Sequence, residues 1–432
     1  MAARIVSLTA LLLLSCAVAA AEDWPQWRGP QRDGVWNETG VVETFASKSL
    51  SPKWRVPLGP GYTGPTVADG RVLVMDRQTK PEQTERILCF RESDGAPLWT
   101  HQYPCTYRGV GYEAGPRASV TIDGERAYAL GSMGHLHCLN VKTGEVLWSH
   151  DGNQKYKIEM PIWGITAAPL IYKDLVIVHI GGQDGACVVA FDKTSGKEAW
   201  RALDDRGQYS SPVVVKQGDH DVVIVWTGDS IAGLDAPTGK VHWRHAWKPR
   251  NMPIGVCTPV IAGQHVLVVS FYDGSTLLEL SPDKPESKIV WQRVGRSERD
   301  TDALQGIIST PVIDGDYIYG VDSYGELRCL SLKTGDRVWE DLTAVPKARW
   351  STIHFVRHGE KYFMFNERGE LLIAKLSPRG FEEISRTKVL EPTTAQLNQR
   401  GGVCWSHPAF ANRCLFARND DELVCVSLAS EK

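Results

Sequence analysis

Seven tryptophans, Trp54, Trp99, Trp148, Trp200, Trp243, Trp291 and Trp339, follow one another at intervals of 45, 49, 52, 43, 48 and 48 residues. Five of them close a similar phrase: ESDGAPLW, VKTGEVLW, KTSGKEAW, APTGKVHW and LKTGDRVW. Upstream, a Pro-led apolar stretch also recurs, as GPTVADGRVLV, AAPLIYKDLVIV, SSPVVVKQGDHDVVIV, CTPVIAGQHVLVV and STPVIDGDYIYGV, with Val120 in the Pro slot of the second copy. A period of this length, built of short β-rich runs, a glycine turn and a tryptophan, describes a unit that buries its faces only against its neighbours. A chain of 432 residues would ordinarily suggest about three domains, but the repeat overrides that division.

The copy ending at Trp339 shows the unit. Thr310 to Ile313 reads as a short first strand, and Asp314-Gly315 as a hairpin turn. Tyr317 to Val321 is a second, β-rich strand stopped by Ser323-Tyr324-Gly325. Glu326 to Ser331 alternates polar and apolar as a third strand with one buried face. After the turn at Thr334-Gly335, Asp336 to Glu340 is the outer strand. Four antiparallel strands in such a unit make a propeller blade.

Six full units run from Thr63 to Trp339, and a seventh, from Ser351 to Ser385, lacks the terminal Trp. An eighth, Ser406 to Leu428, stops after its third strand. Pro52 to Val56, before the first unit, carries the missing outer strand and its Trp. The expected fold is therefore all-β: one eight-bladed β-propeller of four-stranded antiparallel blades over residues 51–430. Its last blade is closed by the N-terminal strand, which leaves no free sheet edge. Residues 22–50 are an N-terminal extension.

The first 21 residues read as an export signal. Arg4 is followed by the apolar run Ile5 to Leu14 and by Ala19-Ala20-Ala21. That run is half the length of a spanning helix, about 20 residues, and no transmembrane segment is expected. Leu13-Leu14-Ser15-Cys16 also resembles a lipobox, which would anchor the chain by lipid at Cys16. Simple cleavage is preferred because Leu14 is an uncommon occupant of its slot; either way a periplasmic or extracellular location is expected. Nine cysteines remain after Cys16, an odd number. Cys89, Cys138, Cys329 and Cys425 share one slot in different units and read as buried small residues. A hairpin could bring Cys404 and Cys414 together, but unpaired buried thiols are the preferred reading. Lys and Arg number 48 against 51 Asp and Glu, for a net charge of −3. No basic stripe stands out, so no nucleic-acid partner is expected.

The stretches AFDKTSGKEAW, ending at Trp200, and LDAPTGKVHW, ending at Trp243, resemble the tryptophan-docking motif of the pyrroloquinoline-quinone (PQQ)-like propellers. WPQWRGP from Trp24, RDG to Gly34 and GPRA to Ala118 resemble secreted PQQ-like repeat proteins of planctomycete-type bacteria. The resemblance covers roughly residues 50–430 and implies the fold and export. It leaves two functions open. BamB-like members are scaffolds without a cofactor, whereas quinoprotein dehydrogenases hold PQQ and Ca2+ and oxidise alcohols or sugars. The alcohol dehydrogenases cap the quinone with a vicinal Cys-Cys pair, and no two cysteines are adjacent here. No match for their calcium-binding Glu and Asn or catalytic Asp is found.

Loops leading into the first strands face one mouth of the ring, where propellers usually bind. Tyr62, Tyr209 and Trp405 stand three residues before the Pro of their units, with Arg117, Trp163, Arg349 and Trp350 nearby. Together they suggest an aromatic funnel with arginine donors. His135 and His137 share one strand face but lack a third ligand, and a packed pair is expected. Glu298, Asp300 and Asp302 lack the glycine punctuation of a calcium loop and read as a charged loop. Asp302 is the best carboxylate for a quinoprotein-like base. The expected function is a monomeric, non-catalytic scaffold for an envelope protein or peptide, with no catalytic residue, metal or cofactor. The alternative is a PQQ- and Ca2+-dependent oxidoreductase.

Overall fold

The computed structural model describes residues 22–397 and 399–430; the expected export signal and Cys16 lie outside them. Its strands form eight four-stranded antiparallel sheets. Blades 1 to 7 comprise residues 66–104, 121–151, 170–202, 213–246, 260–293, 312–341 and 353–388. Blade 8 joins 409–427 to the strand Pro52–Pro57, with Trp54 opposite Cys425 and Val56 opposite Leu423. The first strand of blades 1, 3, 4, 5 and 6 starts one residue after its Pro. The reason is chemical: a proline nitrogen has no hydrogen to give the ladder. No helix of the described residues is long and apolar enough to cross a membrane.

Six tryptophans lock one blade to the next. Trp54, Trp99, Trp148, Trp200, Trp291 and Trp339 each donate their indole N–H to a backbone carbonyl of the following blade, at 2.7–3.2 Å. Four of these rings lie under the turn glycine of that blade. A Cβ on Gly95, Gly144, Gly196 or Gly239 would come within 2.5–2.8 Å of the ring below, and all four have φ between +70° and +75°. Glycine is required there twice over, by space and by backbone. Opposite most of these Trp residues in their own blade stands a small residue, Leu277 opposite Trp291 being the exception: Cys89, Cys138, Cys329 and Cys425 oppose Trp99, Trp148, Trp339 and Trp54. Ala190 and Gly233 do the same for Trp200 and Trp243. Those cysteines are buried to 1% exposure or less.

Two junctions depart from this rule, each for a visible reason. Blade 5 turns through Ser281-Pro282-Asp283-Lys284-Pro285-Glu286, without glycine. Trp243 therefore donates to Gln217 Oε1 in its own blade, at 3.1 Å. Gln217 relays the contact by donating to the carbonyls of Ser281 and Glu286 at 3.2 and 2.8 Å. Blade 7 has Ser385 where a docking Trp would stand. There Trp36 of the extension packs its ring 5.3 Å from Phe363 of blade 7 and 5.2 Å from Phe410 of blade 8.

The extension does more than staple one seam. Trp24 bridges Val67 of blade 1, and the Pro25 carbonyl accepts from Ile122 of blade 2. Trp27 donates to Thr258 Oγ1 just before blade 5 at 2.7 Å. Arg32 donates to the carbonyls of Ala168 and Pro169 before blade 3, and Val35 pairs with Arg357 of blade 7. Residues 24–36 reach so many blades only by crossing the ring axis as a plug. The nine described cysteines are free thiols. Cys404 and Cys414 do not pair: Cys414 meets Cys425 on the adjacent strand, whereas Cys404 points its thiol at the Glu391 carbonyl.

The turn glycines give a direct test. Gly239→Ala should cost about 2–4 kcal/mol, from left-handed strain plus collision with Trp200. Gly263→Ala has φ +57° but open space around the new Cβ, and strain alone should cost about 1 kcal/mol. Urea midpoints at constant slope measure both.

Candidate functional site: an aromatic cup over the propeller axis

All eight loops that lead into the inner strands contribute to one cavity of about 130 Å3. Its wall is Tyr62, Tyr112 and Arg117, Trp163, Tyr209, Val256, Ile307 and Ile308, Trp350 and His354, and Trp405 and His407. Its floor is Trp27 of the plug, whose ring stands edge-on to His407 at 4.2 Å. The plug thus turns a through-channel into a cup. For scale, an apolar cavity of about 150 Å3 holds one benzene.

Tyr112 organises the aromatic wall. Its ring lies 5.9 Å from Trp163, 5.7 Å from Trp350 and 6.4 Å from Trp405, and Trp163 in turn lies 5.1 Å from Tyr209. Both Tyr112 and Trp350 have left-handed backbones, φ +55° and +67°, a conformation costing about 1–3 kcal/mol for a side-chain-bearing residue. Surrounding bonds hold it: Trp350 N donates to the Ser323 carbonyl at 2.7 Å, and the Tyr112 carbonyl accepts from Arg117 at 2.6 Å. The Tyr62 hydroxyl donates to the Gln396 carbonyl at 3.0 Å. Burial pushes the Tyr209 phenol up to about 12 and raises Tyr62 as well. Both therefore stay neutral.

Among the described residues, Arg117 is the only formally charged one in the lining. It is already spent on the carbonyls of Gly111, Tyr112 and Gly115 and on Ser132 Oγ, and it stacks over Tyr62 at 4.9 Å. No carboxylate lines the cup among the described residues. His354 donates Nε2–H to the Trp405 carbonyl at 2.8 Å, and His407 Nε2 meets Ser119 Oγ at 2.7 Å. Burial holds His354 down to about 4 and His407 to about 3, and the Arg28 guanidinium below lowers both further. A neutral, largely apolar vessel with hydroxyl, indole and imidazole edges is suited to hold a side chain or a flat uncharged group.

Of the residues singled out from the sequence, Tyr62, Arg117, Trp163, Tyr209, Trp350 and Trp405 meet in this cup. Arg349 does not line it. It stacks over Trp350 at 4.3 Å and forms a two-point ion pair with Glu298 at 2.9 and 2.6 Å, which braces the wall from behind. Asp302 is placed elsewhere, in a two-point pair with Arg293 of blade 5 at 2.6 and 3.1 Å; it corrects the idea of a base in the funnel. Asp300 pairs with Arg296, so each acidic group of that loop has an arginine. His137 packs 4.4 Å from Tyr103, and burial drives its pKa to about 3. Sequence reasoning missed Trp27, Tyr112, His354 and His407. Trp27 was visible only as part of a motif with no strand around it, and Tyr112 sits in an aperiodic loop.

The two neutral histidines make stability fall with acid. An unfolded histidine titrates near 6.5, so below about pH 7 the unfolded chain takes up protons that the folded one refuses. Their contribution is complete above that pH and shrinks as pH drops toward 4. At pH 5 each should cost about 2 kcal/mol. His407→Gln should flatten the difference in urea midpoint between pH 8 and pH 5 by about that amount.

A family model described as outer membrane protein assembly factor BamB matches residues 38–186, 184–358 and 230–432. The chain is 28% identical over 222 residues to outer membrane protein assembly factor BamB of Burkholderia pseudomallei (strain K96243), covering 50% of this chain and 52% of that protein. It is 24% identical over 282 residues to quinohemoprotein alcohol dehydrogenase ADH-IIG of Pseudomonas putida, covering 63% of this chain and 34% of the other. These matches span about half and a third of the relatives' lengths. Among solved structures, BamB from Moraxella catarrhalis superposes with TM-score 0.59 at 15% identity, over 88% of this chain and 99% of that one. Quinohemoprotein alcohol dehydrogenase from Comamonas testosteroni gives 0.62 at 12% identity, over 96% and 82%. Both likenesses concern the fold. With a family model matched along nearly its whole described length, this chain belongs to the PQQ-like propeller family represented by outer membrane protein assembly factor BamB.

Proposed function

We propose that this propeller is an exported, non-catalytic scaffold of the cell envelope that captures a protein or peptide by seating an apolar side chain in the aromatic cup. The observation that carries the reading is the composition of the cup: neutral aromatic and aliphatic walls from eight loops, one spent arginine, and a closed floor. A vessel that holds about one aromatic ring suits an anchor residue inserted into a pocket, the usual core of a protein interface. The resemblance to BamB supports a protein as the occupant.

The oxidoreductase reading needs Ca2+, a hard cation that takes oxygen ligands, carboxylates above all. The lining supplies none, and Asp302 is engaged with Arg293. The residues present do not fit the metal–quinone pair, so no reaction is assigned.

Residues 22–432 titrated calorimetrically with PQQ, with and without Ca2+, should give no binding heat. A photo-crosslinking amino acid at Ile308 in the cup should form adducts with a discrete envelope protein in cells, and Trp163→Ala should weaken capture of that partner by about 2 kcal/mol, roughly 30-fold. Calcium-dependent PQQ binding without protein adducts would overturn the reading.

A further inference from the structure

Blade 4 carries a cluster that no other blade repeats. His220 opens its second strand, Asp235 ends its third and His242 lies in its fourth. Antiparallel order brings these positions to one end of the blade, the end away from the cup. Asp235 Oδ1 lies 3.4 Å from His242 Nε2 and 3.9 Å from His220 Nδ1, and the three donor atoms are all within 4.8 Å of one another. The two imidazoles cross at 72° with centroids 5.0 Å apart. Zinc bound to nitrogen and carboxylate oxygen at about 2.0–2.2 Å in a tetrahedron needs adjacent donors about 3.3–3.5 Å apart. One pair already meets that spacing, and small side-chain rotations bring the others to it.

The local sequence explains why this carboxylate is available. In blade 3 the equivalent Asp192 spends Oδ1 on Thr194 N, Ser195 N and Ser195 Oγ to hold its turn. In blade 4 Pro237 replaces Thr194 and has no N–H to give. Asp235 instead holds the turn through Oδ2, which accepts from Thr238 Oγ1 at 2.5 Å, and Oδ1 faces the two imidazoles. Thr238 thereby fixes the carboxylate, as an outer hydrogen bond does for a metal ligand. The position before the docking Trp is apolar in blades 1, 2, 3, 5 and 6, as Leu98, Leu147, Ala199, Val290 and Val338; only blade 4 has an imidazole there, His242. Asp235 has no lysine or arginine partner among the described residues.

We propose that His220, Asp235 and His242 form a zinc site at the outer end of blade 4. The two imidazoles and Asp235 Oδ1 supply three ligands, and His220, with 47% of its side chain exposed, leaves the fourth position to water. The ion ties the second, third and fourth strands of the blade together. That fourth strand carries Trp243, whose docking contact passes through Gln217 instead of a direct bond to blade 5. Zinc reinforces the blade at that indirect junction. The site stands apart from the cup and does not depend on its function.

The test uses tag-free residues 22–432 titrated with Zn2+ against a chromophoric chelator at pH 7.5. One equivalent should bind, Co2+ should give the visible spectrum of a four-coordinate nitrogen–oxygen site, and the unfolding midpoint should rise with Zn2+. Asp235→Asn should weaken binding at least about tenfold, the scale seen even for loss of outer-shell support. Because that change also touches the turn, the double variant His220→Gln/His242→Gln is the decisive one. It should keep the native circular dichroism and lose both the bound equivalent and the stabilisation. Absence of binding by the unmodified chain, or unchanged affinity in the double variant, would overturn the proposal.

Discussion

The indole that reaches across each blade boundary is the contact on which the architecture depends. A lone four-stranded sheet leaves both faces wet; stacking against two neighbours buries them. Six of the eight junctions are held by the same device, an indole N–H on a carbonyl of the next blade, and in five of them a small residue stands behind the ring. The requirement runs through both partners. Across from the ring in its own sheet stands Cys, Ala or Gly in every case but Trp291, which faces Leu277, and four of the rings also sit under a turn glycine with no room for a Cβ. One interaction thus dictates residues at several places in every repeat, which is why the repeat can be read in the text.

The same logic shows what was hard to read. Blade count, strand order and ring closure follow from period, turn residues and alternation, all local signals. Gln217 as a relay for Trp243 depends on the absence of a glycine more than sixty residues later in the chain, and nothing beside Gln217 announces it. The plug is harder still. It and the rest of the extension pair with the ring only through isolated bridges from Trp24, Val35, Val41 and Ser49, so the segment has neither the two-residue period of a strand nor the repeat of a blade. WPQWRGP was conspicuous as a string, yet where Trp27 comes to rest was legible only in three dimensions.

At the cup, sequence position and spatial position agree for residues just ahead of an inner strand and part company for Asp302, farther upstream. Tyr62, Tyr209 and Trp405 stand at one fixed offset before an inner strand, and they meet. Asp302 stands well upstream of its inner strand, which starts at Val312, and Arg293 holds it at the sheet side. The carboxylates of the loop after blade 5, Glu298, Asp300 and Asp302, are each taken by an arginine. That pairing leaves the axis to aromatic and aliphatic groups. The two buried histidines beneath it are kept neutral by burial first and by the nearby Arg28 charge.

Closure of blade 8 joins the strand Pro52–Pro57 to Glu422–Ser427, so the two ends of the domain share one sheet. Until the last of those residues is made, blade 8 lacks its core and Trp54 has nothing to stand on, while blade 1 waits for the indole that should cover Gly95. The growing polypeptide is an open arc with a bare edge at each end. Its completion is a single long-range event whose loop-closure cost is met all at once. A chain cut short near its terminus would therefore lose far more than its final strand: it would release the plug, the cup floor and the first blade together.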